Sequence, residues 1–468
     1  MVFSDSIFLF FFLPFVLLVY LVFLRGRKVR NHFLMVMSLL FYAWGEPWFV
    51  LVMIASIAMN WLAGLGIGRY WEDPKRKKAV LTLSVVLNLT LLGVFKYLMF
   101  IMNNLNWAFG LHLPVPQIAL PIGISFFTFQ AMSYVIDVYR GKGQVQKSFW
   151  NVCLYVALFP QLIAGPIVRY ETVAEEIEDR HENLAGFCAG SRRFLVGLCK
   201  KVLLANNLAM LAENAFGLDP AALSAGASWL GAIAYLWQVY FDFSGYSDMA
   251  IGLGLMFDFH FLENFNFPMV SRSISEFWRR WHISLGTWFR DYLFFPLGGS
   301  RVKKSRAIFN MFVVWGLTGL WHGAEWAFLI WGLSFGVLLV LEKYTPLGKW
   351  MDGHWLGHVY AMVAITTVTV FINVQGDLGH AVEYIAAMYG GGAAWWDSTA
   401  TMYLREYGWY VLAALIVALP VGPFLQKRLH IGDRAMEAAR GISLLAGFGL
   451  ALTFIVMGGY NPFIYFNF

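Results

Sequence analysis

The sequence predicts an all-α polytopic membrane protein: one membrane domain over residues 1–468, with about eleven transmembrane helices plus re-entrant and interfacial pieces. Three observations predict it. Of the 468 residues 59% are hydrophobic and only 13% charged, about half the charged share of a soluble domain. Apolar runs near the roughly 20 residues that cross a bilayer as helix recur from end to end. Lys and Arg gather in the short segments between those runs, so the net charge of +6 reports membrane topology and not a nucleic-acid partner.

The elements follow in order. Residues 7–24 lack a basic n-region and a small-residue cleavage site, which predicts a retained helix rather than a signal peptide. Basic clusters at Arg25, Arg27, Lys28 and Arg30 and at Lys75, Arg76, Lys77 and Lys78 mark cytoplasmic loops and put the amino terminus outside. Between them a helical hairpin turns at Gly45-Glu46-Pro47. Residues 80–101 then lead out to a loop free of Lys and Arg, and residues 118–137 return to Arg140, Lys142 and Lys147. Pro160 and the Gly165-Pro166 pair interrupt helix around Gln161, which predicts a re-entrant segment beside a cavity.

Residues 169–201 mix acids and bases and read as a cytoplasmic connector carrying short helices, followed by crossings at 194–216 and 229–257. The stretch 258–306 holds Arg272, Arg279, Arg280, Arg290, Arg301, Lys303, Lys304 and Arg306, which places it in the cytoplasm. A helical region at 310–342 and crossings near 359–374, 409–424 and 442–457 complete the chain. Lys427, Arg428, Arg434 and Arg440 between the last two put the carboxyl terminus outside. No internal repeat is visible, which counts against transporters built from duplicated halves. Cys153, Cys188 and Cys199 show no metal-ligand spacing; no metal and no role is assigned to them.

Ionisable residues in apolar sequence are costly and mark function by default. His322, in Leu317-Thr-Gly-Leu-Trp-His-Gly-Ala324, follows an apolar run too short to cross a bilayer, so it should sit at depth. Burial favours the neutral imidazole that accepts a proton, and Gly319 and Gly323 would let a substrate approach the backbone. Position alone leaves open a histidine bonded to a neighbouring carbonyl. Residues 275–291 read as one amphipathic helix. Trp278, Trp281, Leu285 and Trp288 line one face, and Arg279, His282, Gly286 and Arg290 the other. Such a helix either lies on anionic headgroups or, with Arg280, Arg301, Lys303 and Arg306, holds the phosphates of a nucleotide-bearing donor. Asp242 and Asp248, in apolar sequence with Ser244 and Tyr246, either pair with a cation or orient a histidine.

At these residues the sequence resembles the membrane-bound O-acyltransferase family, and within it the bacterial alginate O-acetyltransferase membrane subunits and their polysaccharide-acetylating relatives. The matching stretches are Pro121-Ile-Gly-Ile-Ser-Phe126, Ile136-Asp-Val-Tyr-Arg-Gly141, Leu162-Ile-Ala-Gly-Pro166, 240–255, 276–299, Gly319-Leu-Trp-His-Gly323 and Tyr460-Asn-Pro-Phe-Ile-Tyr465. The resemblance implies a helical bundle around a central tunnel, with the essential histidine at His322, the second active-site histidine at His282, and Trp321, Asp242 and Asp248 in support. One departure is Phe371-Ile-Asn-Val-Gln375, where relatives often carry an arginine.

The activity so implied is O-acetyl transfer from cytoplasmic acetyl-CoA, which enters as a substrate with no bound cofactor. The phosphates would lie near Arg279, Arg280, Arg290, Arg301, Lys303 and Arg306, with His322 as general base. The acetyl group would cross the bacterial inner membrane, where both termini face the periplasm. There a periplasmic SGNH-hydrolase-like acetyltransferase and other secretion components would place it on alginate, cellulose or peptidoglycan. Lipid is the remaining partner. Two other classes compete: a transporter or proton channel, since buried histidines also relay protons, and a glycosyltransferase, against which the missing Asp-x-Asp element counts.

Overall fold

The computed structural model describes residues 1–374, 376–429 and 432–462. Gln375, at the departure noted above, and positions 463–465 of the final motif lie outside the described residues. All regular elements among the described residues are helical. The main ones are α1 (Phe8–Phe23), α2 (Arg27–Gly45), α3 (Phe49–Arg69), α4 (Pro74–Phe109), α5 (Ile124–Arg140), α6 (Phe149–Ala157), α7 (Tyr170–Glu178) and α8 (Leu184–Phe216). Then come α9 (Ala225–Met256), α10 (Ile274–Arg280), α11 (Ile283–Phe289), α12 (Lys304–His322), α13 (Trp326–Tyr344), α14 (Leu356–Asn373), α15 (Ser398–Ala418) and α16 (Asp433–Val456).

Six helices among the described residues, α3, α4, α8, α13, α14 and α16, are long and apolar enough to cross a membrane. The count expected from sequence was about eleven. The others fall short for visible reasons. The α1 helix has only 16 apolar residues, α2 opens on Arg27, Lys28 and Arg30, and α15 carries Arg405 and Glu406.

The chain packs as two compact units, residues 1–194 with 246–262, and residues 195–245 with 263–468. In the first, α3 packs on α4 and α5. A reciprocal amide pair joins α3 to α4: Asn60 donates to Asn88 at 3.1 Å and Asn88 donates back at 2.9 Å, which satisfies both amides away from water. Pro114, Pro116 and Pro121 keep the segment before α5 extended. The α5 helix starts after Gly123 at φ +73° and stops at Gly141 at φ +72°. Elsewhere in this unit Phe3, Phe8, Phe41 and Phe159 form an aromatic cluster. The break expected at Pro160 is present: helix stops at Ala157, resumes for Phe159–Leu162, and the whole turn is buried.

One expectation is corrected here. Residues 169–201 are not a connector throughout, because α8 already begins at Leu184 and carries Arg193 and Lys201 within it. Counter-charges on α9 make this tolerable. Arg193 meets Asp248 at 2.7 Å in the first unit, and Lys201 meets Asp242 at 2.7 Å in the second, with both side chains buried.

The second unit is organised on the α12–α13 hairpin, which turns through Gly323-Ala-Glu325. Gly319 and Gly332 let the two helices touch. A Cβ on Gly319 would lie 2.3 Å from the Phe328 carbonyl oxygen, and one on Gly332 2.3 Å from that of Trp315. Gly323 faces the Phe328 ring at 2.1 Å in the same sense. These glycines therefore admit a packed helix, and not a substrate as the sequence suggested. Trp331, Phe335, Ile365 and Val239 extend the core over α14 and the first half of α9.

Candidate active site

The site lies in the second unit and begins with how α10 is held. Ser273 caps the helix by accepting the Glu276 N–H at 3.1 Å. Buried Glu342, on α13, accepts the Ile274 N–H at 2.6 Å, the Ser275 N–H at 2.9 Å and the Ser275 hydroxyl at 2.7 Å. A carboxylate there satisfies donors the helix cannot and meets its positive end. Glu276 accepts the Arg272 N–H and the Arg280 guanidinium, both at 2.9 Å. Burial pushes the Glu276 carboxyl up, but these donors outweigh it and hold the group below its ordinary value.

The single helix expected over 275–291 is in fact two, α10 and α11. The break falls at His282, which adopts the left-handed conformation at φ +45°. Such a conformation costs a non-glycine residue energy and persists only when its surroundings over-determine it. Asn264, fully buried, does so. Its backbone oxygen accepts the Ile283 N–H at 3.0 Å. Its side-chain oxygen accepts the Ser284 N–H at 3.1 Å and the Ser284 hydroxyl at 2.9 Å, and lies 3.2 Å from His282 Nδ1. Because that oxygen already accepts a backbone N–H, Nδ1 must carry the proton. Nε2 is then the ring's basic nitrogen.

Burial, and after it the nearby His322, lowers the proton affinity of His282 well below the ordinary value, so the ring is neutral. Phe243 packs edge-on against it at 4.6 Å between centroids. His322 ends α12, is 9% exposed, and has its ring 6.5 Å from that of His282. Trp321 and Trp331 stand edge-on to His322 at 5.0 and 5.1 Å. The tryptophans of this region do not face lipid headgroups: Trp281 and Trp288 are 7% and 6% exposed.

Two cavities meet this pair. The larger, about 620 Å³, is lined by Arg279, His282, Gly286, Arg290, Thr318 and Lys343 among others. The smaller, about 40 Å³, holds His322 with Trp331, Phe335 and Ile365 in its wall. Trp278 lines both and packs against Trp315, Trp331 and Phe335. The register of α13 gives their order: Lys343 and Leu339 border the large cavity, Phe335 and Trp331 the small one.

The residues singled out from sequence separate accordingly. Arg279, His282, Gly286 and Arg290, expected on one helical face, all line the large cavity despite the break. Arg280 is engaged with Glu276 and with the Asn266 carbonyl. Arg301, Lys303 and Arg306 are exposed around the start of α12 and are not in the cavity lining. Asp242 and Asp248 pair with the cations of α8 described above. Sequence reasoning missed Asn264, Glu342, Lys343, Trp331 and Phe335. The only available signal was that Glu342 and Lys343 are charges closing an otherwise apolar helix.

The description of the membrane-bound O-acyltransferase family matches residues 144–370, a span that contains both histidines. The chain is 46% identical over 347 residues to a probable alginate O-acetylase of Pseudomonas aeruginosa, covering 73% of this chain and 66% of that protein. It is 46% identical over 348 residues to the corresponding Azotobacter vinelandii protein, covering 73% and 69%. To a peptidoglycan O-acetyltransferase of Helicobacter pylori it is 35% identical over 374 residues, covering 73% and 70%. With the paired histidines set between two cavities of an all-helical membrane chain, these similarities place the protein in a family: it belongs to the membrane-bound O-acyltransferases.

Proposed function

We propose that this chain takes the acetyl group of cytoplasmic acetyl-CoA and passes it across the bacterial inner membrane. It there serves O-acetylation of an exopolysaccharide, alginate or cellulose ahead of peptidoglycan, through a periplasmic SGNH-like acetyltransferase. Both termini face the periplasm in this reading. The observation that carries it is the large cavity, which offers Arg279, Arg290 and Lys343 to an anionic donor and reaches His282, one ring away from His322. Guanidinium groups suit phosphate oxygens.

In the transfer itself an acceptor hydroxyl attacks the thioester carbonyl while His322 takes the hydroxyl proton. The new C–O bond forms, the C–S bond breaks, and the thiolate leaves to collect that proton, giving an acetyl ester and free CoA thiol. His282, neutral and fixed as the Nδ1–H tautomer, presents Nε2 to the reacting groups. The reading is tested with the protein reconstituted in vesicles and labelled acetyl-CoA. His322→Ala should lose acetyl transfer by about 100-fold or more while keeping its thermal melt. Full transfer by that variant would remove His322 as the base, and solute flux without acetyl-CoA would point to a transporter instead.

A further inference from the structure

Glu325 closes the turn between α12 and α13, three positions beyond His322, which puts the two Cα atoms no more than about 11 Å apart. A carboxylate at a helix start ordinarily serves that helix's free N–H groups. Glu325 stands at the start of α13 in an extended conformation and makes no such bond. Its carboxylate is turned toward the Gly376 N–H instead. Among the described residues, Oε2 is shielded from solvent and has no hydrogen-bond partner. A carboxylate oxygen withdrawn from water without a donor is costly, and a ligand that supplies the donor relieves that cost.

The hairpin also separates charge by sign. Lys304 at the start of α12 lies over the Tyr344 ring at the end of α13, 5.0 Å from its centroid, so those two helix ends sit together and the turn is at the far end. Lys343, in the lining of the large cavity, is seventeen positions from Trp326, about 26 Å along α13. Ala324 and Glu325 are only partly buried, so a molecule can reach the turn. We propose that Glu325 receives the acetyl acceptor: Oε2 accepts a hydrogen bond from a second donor group of an uncharged, polyhydroxylated molecule, beside the hydroxyl that reacts at His322. The inference rests on the transfer reading above. A carboxylate or phosphate on the acceptor is repelled at this end, whereas the CoA phosphates are drawn to the other. Glu325 forms no bond with the acetyl group, and the proton it is bonded to stays on the acceptor.

The test uses the full-length protein in detergent, where both faces are open, with labelled acetyl-CoA and three small alcohols as acceptors. Glycerol is uncharged and carries further hydroxyls, n-propanol has only the reacting one, and glycerate adds a carboxylate. The wild type should acetylate glycerol with a kcat/KM about 10-fold or more above either of the others. Glu325→Ala should erase the advantage over n-propanol through a higher glycerol KM. Glu325→Gln, which keeps a carbonyl acceptor but not the charge, should retain part of that advantage and lift the penalty on glycerate. Should the alanine variant fail to fold, the glutamine variant carries the test. A merely structural role would lower transfer to all three alcohols alike, and that result, or equal wild-type use of glycerol and n-propanol, would overturn the proposal. So would transfer to none of the three while CoA is still released. No CoA release with any acceptor would overturn the donor reading itself.

Discussion

The imidazoles of His282 and His322 lie 6.5 Å apart and inclined at 64°, although they come from very different backbone. His282 is a left-handed break between two seven-residue helices. His322 is the last residue of a 19-residue helix. The first is tied to Asn264 and the second stands edge-on to Trp321 and Trp331, so different substitutions disturb them.

Asn264 is the means by which His282 is held. Asn264→Ala removes the acceptor shared by the Ser284 N–H, the Ser284 hydroxyl and His282 Nδ1–H, and loss of a buried acceptor of this kind costs about 1–3 kcal/mol. The expected result is a lower thermal midpoint and a kcat reduced by about 10-fold or more. Asn264→Asp keeps an acceptor and adds a charge beside the ring, which raises its proton affinity. The acid limb of its pH–rate profile should move to higher pH. An unmoved limb would separate His282 from the titration that controls rate.

The neutral state of His282 also makes stability depend on pH. Its proton affinity is depressed in the folded protein, whereas the unfolded imidazole takes up a proton as pH falls through about 6.5. The unfolded state then binds more protons, and stability declines from neutral pH toward about pH 5.5. Melting curves in detergent should show this decline, and His282→Gln should flatten it. Glu276, held low by its donors, contributes stability that is present above its unfolded value. That contribution is lost only at more acidic pH, as pH falls through its folded value.

The cations divide into two groups with separable roles. Arg279, Arg290 and Lys343 line the large cavity, while Arg301, Lys303 and Arg306 do not. Arg290→Ala combined with Lys343→Ala should raise the KM for acetyl-CoA by about 10-fold or more with little change in kcat. The triple alanine variant at Arg301, Lys303 and Arg306 should change KM by less than about 3-fold. The reverse pattern would move the donor's phosphates to the exposed turn.

Close packing of α12 on α13 predicts a sharp steric response. A methyl group at position 319 would stand 2.3 Å from the Phe328 oxygen, a backbone atom that cannot rotate away. Gly319→Ala should therefore cost about 1–3 kcal/mol, read as a drop in melting temperature. Gly353→Ala, where a Cβ meets nothing within 4 Å, should leave that temperature unchanged. Equal effects at both positions would show that helix propensity, and not contact, governs the response.

The fold was legible where its signal was one-dimensional. Apolar length located α3, α4, α14 and α16, but the run read over 118–137 starts too early, because the segment before α5 is extended and helix begins only at Ile124. Charge also misled, because Arg193 and Lys201 looked like loop residues until their partners on α9 were known, and pairing across helices leaves no local mark. The site was half legible for a related reason. A face written in i, i+4 spacing predicted that Arg279, His282, Gly286 and Arg290 belong together, and they do. The break at His282 depends on Asn264, 18 positions earlier, and the aromatic wall of Trp331 and Phe335 looks like any apolar helix in the linear chain.

The α13 helix carries one of the large cavity's cations and the histidine's neighbour on one rod. Lys343 and Trp331 are twelve positions apart, about 18 Å at 1.5 Å per residue. The span between the lining of the large cavity and the wall of the small one is thus a fixed ruler, with no hinge in it. Loops at the membrane surface can lengthen or shorten freely without altering that measure. A single residue inserted between Trp331 and Lys343 would advance the rod by about 1.5 Å and turn the cation about 100° out of line, so insertions should be tolerated nearly everywhere in this protein's surface loops before they are tolerated there.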